Sequence, residues 1–266
     1  MKHICLNLEN WKKQISKKSR NNLYQTLFIL SSNKFKAIFL MIIFTCIFNL
    51  FNIENGIAYE EAIFSSITST LFLFVIIGIL FISSCTTLDL FDKKFGIILR
   101  YKNKLEYLKE LLKLISLVNA IIFELAISIT ILFTTFKYFG IITFSKVFNY
   151  NIPFIVYNLF TIIKYYIIIN NLSLIGICLY KNFGKTLCYI YYAIIIILYY
   201  TYPVSNNIIT NFNIKNLFFK YYIYPFQYAN FYLELSFAII FICLMLLIIH
   251  LAIYVTIKYN KIKINE

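Results

Sequence analysis

The chain has 266 residues, of which 61% are hydrophobic and only 14% charged, with a net charge of +14. A water-soluble domain carries nearer a quarter charged residues, so this balance excludes one. A soluble helical bundle is excluded too. Its helices need a polar face, and LCYIYYAIIIILYY (187–200) has none.

Taken from the N-terminus, residues 1–35 form an amphipathic segment. Ile4, Leu8, Trp11 and Ile15 recur at helical spacing on one face, with Lys12, Lys13, Lys17, Lys18 and Arg20 around them. Leu23, Leu27 and Leu30 make a second short stripe. That pattern predicts a helix lying in the headgroup plane, anchored by Trp11, Lys12 and Lys17; a basic tail without structure is the alternative. The first apolar run starts after about 35 polar and basic residues, too late for a secretory signal.

Six apolar stretches follow, over residues 36–53, 63–86, 114–136, 154–179, 186–204 and 235–257. Most reach the ~20 residues that cross a hydrocarbon core as a helix. The expected fold is therefore an all-α polytopic membrane protein, with residues 36–266 forming a domain of six transmembrane helices. A short acidic loop with Glu54, Glu60 and Glu61 separates the first two spans.

Residues 87–113 link the second and third spans. Phe91, Phe95 and Ile98 share one helical face, with Asp92, Lys93 and Arg100 off it. Asn103 followed by Glu106 suits the start of a new helix that continues unbroken into the third span. Such a piece is a rigid lever entering the membrane from a charged knob; an ordinary charged loop is the alternative.

Two ionisable residues lie deepest in the spans. Glu124 is ten residues into the third and Lys164 ten residues into the fourth. At 1.5 Å per residue each is ~15 Å deep, where a lone charge is costly. An interhelical Glu124–Lys164 ion pair is expected, chiefly as a pin on helix register. Residues 205–234 then carry a dense run of Tyr and Phe around Pro225, which predicts short re-entrant helices at the membrane interface. His250 falls in the last span and is read as a polar helix contact. The six cysteines have no metal-site spacing, and five lie within or at the ends of spans as small apolar residues.

The charges orient the chain. Segments 1–36, 87–113, 180–185 and 258–266 would share one side and hold 20 of the 25 Lys and Arg. Short basic loops stay in the cytoplasm, so both termini are expected inside, in a bacterial plasma membrane. The heavy use of Ile, Phe, Asn, Lys and Tyr suggests an AT-rich coding genome. The positive charge is a topology signal facing anionic lipid, not nucleic-acid affinity.

This order of elements resembles the permease subunit of a bacterial type-2 ABC exporter. The corresponding pieces are an elbow helix (4–30), a coupling helix between spans two and three (88–100), and re-entrant helices between spans five and six (205–234). The phrase FGIILRYKNKLEYLKELLKL (95–114) is similar to the loop-to-helix passage of small permeases in bacteriocin-immunity and peptide-export systems. The resemblance implies that Phe91, Asp92, Phe95 and Arg100 contact an ABC ATPase dimer, which binds ATP and Mg. It also implies a second copy of this chain or a related permease, and export of an amphipathic, peptide-like substrate. The chain has no GxxxxGK[ST] phosphate loop and is expected to be no enzyme itself. A stand-alone membrane immunity or sensor protein, binding a toxin or peptide without an ATPase, is the competing reading.

Overall fold

The structure is a computed structural model that describes residues 26, 29–51, 59–94, 104–138, 146–147, 150–201 and 230–259. Among these lie seven helices: α1 (Asn33–Phe51), α2 (Tyr59–Thr68), α3 (Thr70–Lys94), α4 (Lys104–Lys137), α5 (Phe154–Phe183), α6 (Lys185–Thr201) and α7 (Phe231–Tyr259). Two two-residue strands, β1 (Lys146–Val147) and β2 (Ile152–Pro153), pair as a small antiparallel hairpin before α5. At its turn Asn151 has φ 50°, a conformation that asparagine tolerates better than most residues.

Four helices, α3, α4, α5 and α7, are long and apolar enough to cross a membrane. Helices α1 and α6 are apolar over 19 and 17 residues. The outside of the bundle is what needs an apolar solvent. Leu40, Phe44, Leu247 and Leu251 are each more than 60% exposed, and continuous apolar surface on this scale is not carried by a water-soluble monomer. The protein is a multi-pass helical membrane protein.

Helices α3 and α5 form the centre. In each, 72% of the most apolar stretch is buried, against 17% in α7, which packs chiefly on α5. Helices α4, α5 and α6 alternate in direction. The bundle therefore has a basic end, where α3 and α5 finish and α4 and α6 begin, and an aromatic end around Tyr150, Phe154, Tyr157 and Phe231.

The second predicted span is not one helix. It breaks at Ser69, whose hydroxyl accepts the Phe72 N–H at 3.1 Å and caps α3. Upstream, the hydroxyls of Ser65, Ser66 and Thr68 bond back to carbonyls of their own turn. The stretch SSITST therefore offers the backbone a local alternative to a straight helix. The crossing helix starts later than expected and runs to Lys94, so residues 88–94 continue α3 rather than forming a separate helix. The predicted continuity of the third span holds from Lys104 to Lys137, over 34 residues. A single residue, Gly184, turns α5 into α6. It has φ 92°, where side-chain-bearing residues are strained, and its N–H closes the last turn onto the Tyr180 carbonyl at 2.9 Å.

Candidate functional site

Three polar clusters hold the apolar bundle together, and each bears on a residue singled out in the sequence. At the aromatic end Lys164 is only 2% exposed. Its Nζ donates to Glu234 Oε1 at 2.5 Å, and both side chains are 1% exposed. The second carboxyl oxygen of Glu234 accepts from the hydroxyls of Tyr150 and Tyr157, each at 2.9 Å. The ammonium also lies 5.1 Å from the centre of the Phe160 ring, within cation–π reach. Each group has its partner here. Glu234 sits in the first turn of α7, where a helix favours negative charge. That turn is fixed by Asn230, whose side-chain oxygen accepts the Leu233 N–H at 2.9 Å.

The expected Glu124–Lys164 pair is therefore corrected to Lys164–Glu234. The two residues do lie level with each other along the bundle. Asn119 bonds Asn170 at 3.2 Å and the Phe123 and Tyr166 rings pack at 5.6 Å, which puts Glu124 level with Lys164. Direction and face separate them. Side chains lean toward the N-terminus of their own helix, and α4 and α5 run opposite ways. The lysine stem reaches toward the aromatic end and Glu124 toward the basic end. Glu124 also lies on the outer face of α4, exposed, with no hydrogen bond or ion pair among the described residues.

The second cluster lies between α3, α4 and α5. Asn119 is fully buried. Its Oδ1 accepts from Ser83 Oγ at 2.6 Å, and its Nδ2 donates to Ser84 Oγ at 3.0 Å and to Asn170 Oδ1. Asn170 donates on to Ser116 at 3.2 Å, and Ser84 to Ser173 at 3.1 Å. Tyr192 of α6 extends the set by donating to the Ser173 carbonyl at 2.9 Å. The Tyr192 ring stacks on Phe81 at 4.0 Å and fills the space above Gly176. Asn119 and Asn170 thus bond between helices, and Asn158 donates to the Glu60 carbonyl at 3.3 Å. Cys85 and Cys188 bring their sulfurs to 3.8 Å between α3 and α6.

The third cluster closes the basic end. Lys181 of α5 donates to Asp92 of α3 at 2.5 Å and to the Tyr107 hydroxyl of α4 at 2.8 Å. Tyr107 in turn donates to the other Asp92 oxygen. One ion pair and one phenol thus tie together the ends of three long helices. Alongside, Tyr180 donates to Asp89 at 3.0 Å, and Lys185 stands 3.8 Å from the same carboxylate. Of the residues expected to contact an ATPase, Phe91 is 1% exposed and packs on Tyr107, with ring centres 5.8 Å apart. Asp92 is engaged in the tie. Phe95 and Arg100 lie outside the described residues, as do Trp11, Lys12 and Lys17. His250 is exposed and meets the Leu246 carbonyl of its own helix at 3.0 Å.

Sequence reasoning missed Glu234, Tyr150, Tyr157, Tyr107 and Lys181. A signal for Glu234 was present. It is an acidic residue in the first turn of a span, four residues after a capping asparagine, on the side toward which a lysine on a span of the same direction would lean. No protein-family model, curated protein or solved structure matches the chain.

Proposed function

We propose that this chain is the membrane-spanning subunit of an ATP-driven exporter, with the nucleotide chemistry on a separate ATPase. The observation that carries this reading is the tie at the basic end. Asp92, Tyr107 and Lys181 bind the ends of α3, α4 and α5, and Asp92 and Tyr107 flank in sequence the segment that joins α3 to α4. A push on that segment would reach three long helices at once. Helix α4 adds a stiff lever, since it begins nine residues before Lys113 and runs without a break to Lys137.

In this reading the basic end faces the cytoplasm by the distribution of Lys and Arg. Helices α1 and α6 complete six spans; of the aromatic segment expected over 205–234, residues 205–229 lie outside the described residues. The partner ATPase holds ATP and Mg, and a second permease chain completes the path. The substrate is amphipathic and peptide-like, in keeping with a bundle rich in aliphatic and aromatic side chains and poor in charge.

The test is purification of the tagged chain from its native host in mild detergent, followed by ATPase and transport assays in vesicles. An ATPase subunit at stoichiometric yield is expected. Asp92→Asn and Lys181→Met should keep ATP hydrolysis and lose transport several-fold. A chain that purifies alone, with a stability indifferent to nucleotide, would replace the exporter with a stand-alone immunity or sensor protein.

A further inference from the structure

Glu124 is the feature the fold leaves unanswered. It stands 11 residues after Lys113 and 13 before Lys137, both exposed on the same helix. Those spacings put it about 16 and 20 Å from the two charged ends of the span, close to mid-depth. No other Asp, Glu, Lys or Arg is exposed at mid-depth among the described residues. An ionisable group at that depth is expensive unless it meets a partner.

Glu124 opens into a groove of about 260 Å³ between α4 and α5. Ala120 and Ser128 flank it one turn before and after, and Ile162, Ile163 and Tyr166 of α5 form the other wall. Small side chains beside a polar one let a further helix approach closely and bond to it.

We infer that this groove receives a transmembrane helix of another membrane protein, carrying a Lys or Arg at mid-depth that pairs with Glu124. The alternatives fit less well. The chain's own Lys164 is already held by Glu234. A second copy related by an axis along the membrane normal would keep every residue at its own depth. The exposed imidazole of that copy would then miss the site. Asn182 bonds Thr256 and Tyr157 packs on Phe231, so His250 stands level with Gly176, about 16 Å along the bundle from Glu124. An amphipathic peptide lying on the surface enters only about 5–10 Å, short of this depth. The inference does not depend on the exporter reading, because it concerns a partner helix and not the energy source.

The experiment places the full chain, with Cys5→Ser, in phosphatidylcholine vesicles with a donor dye on Cys243, the exposed thiol on α7. The probe is an acceptor-labelled leucine–alanine spanning peptide with one central Lys, compared with a peptide having Leu there. The Lys peptide should associate several-fold more strongly. Glu124→Gln should abolish that preference, and Glu124→Lys should transfer it to a peptide with a central Asp. Ser128→Phe should weaken association with no change of charge; if it fails to fold, Ala120→Leu takes its place. Equal association of the Lys and Leu peptides, or a preference that survives Glu124→Gln, would overturn the proposal. So would Glu124-dependent energy transfer between copies of the chain that the Lys peptide does not compete away, since a second copy would then be the occupant.

Discussion

Lys164 on α5 and Glu124 on α4 lie at the same depth of one bundle, yet their surroundings differ completely. Lys164 is buried against a carboxyl group, which in turn takes two phenol hydroxyls, inside a shell of aromatic rings. Glu124 faces outward with no partner among the described residues. The difference teaches what each residue does for the chain. A buried ion pair adds little stability compared with a well-packed apolar pair, but losing one member is severe because the other is stranded. Lys164 is therefore a fixed part of the fold, and it pins α7, otherwise the least buried of the long helices. Glu124 holds nothing inside the monomer.

The sharpest way to break this comparison is Glu234→Leu. It strands the Lys164 ammonium and should cost about 3–5 kcal/mol, read as a fall in the unfolding midpoint in detergent. The double variant Lys164→Met with Glu234→Leu should recover most of that loss. An unshifted midpoint in the single variant would mean that the pair does not hold α7.

Next in size is Gly176→Ala. The added methyl would run into the Tyr192 ring, and overpacking of this kind costs about 1–3 kcal/mol. Since Tyr192 docks α6, faster proteolysis of the α5–α6 turn at Gly184 is the expected companion effect, relieved by Tyr192→Leu.

Asn119→Leu probes the central network. It removes bonds to Ser83, Ser84 and Asn170. At about 0.6 kcal/mol per interhelical bond in a membrane, the loss should be about 1–2 kcal/mol in a denaturant titration.

The smallest effect expected is for Glu124→Leu in the isolated chain, within about 0.5 kcal/mol of wild type. A loss as large as that of Glu234→Leu would show that Glu124 supports the monomer after all, and the contrast between the two residues would collapse.

The helices themselves were largely legible. Runs of apolar residues near 20 long, and the continuity of charged and apolar helical spacing from Lys104 onward, follow from composition and local preference alone. Gly184 was the single-residue turn that its φ of 92° requires, yet a loop of six residues was expected there, because apolar composition does not mark where a helix bends. The break at Ser69 escaped for a related reason. Hydropathy averages over the SSITST stretch, while the capping hydroxyl acts at one residue. The resemblance made Phe91 and Asp92 candidate contacts for an ATPase, and helical spacing tells which residues share a face, not which neighbours of the same chain they meet. Here Phe91 packs on Tyr107, and the half-buried Asp92 is bonded by Lys181 and Tyr107.

The sequence by itself determined that this chain is a helical, multi-pass membrane protein, because transfer of long apolar stretches out of water is a local property of each stretch. Only the tertiary structure decided who meets whom. Pairing depends on helix direction, on the lean of each side chain toward its own N-terminus, and on which face turns inward. Those three together gave Lys164 to Glu234, tied Asp92 to Lys181, and left Glu124 turned outward.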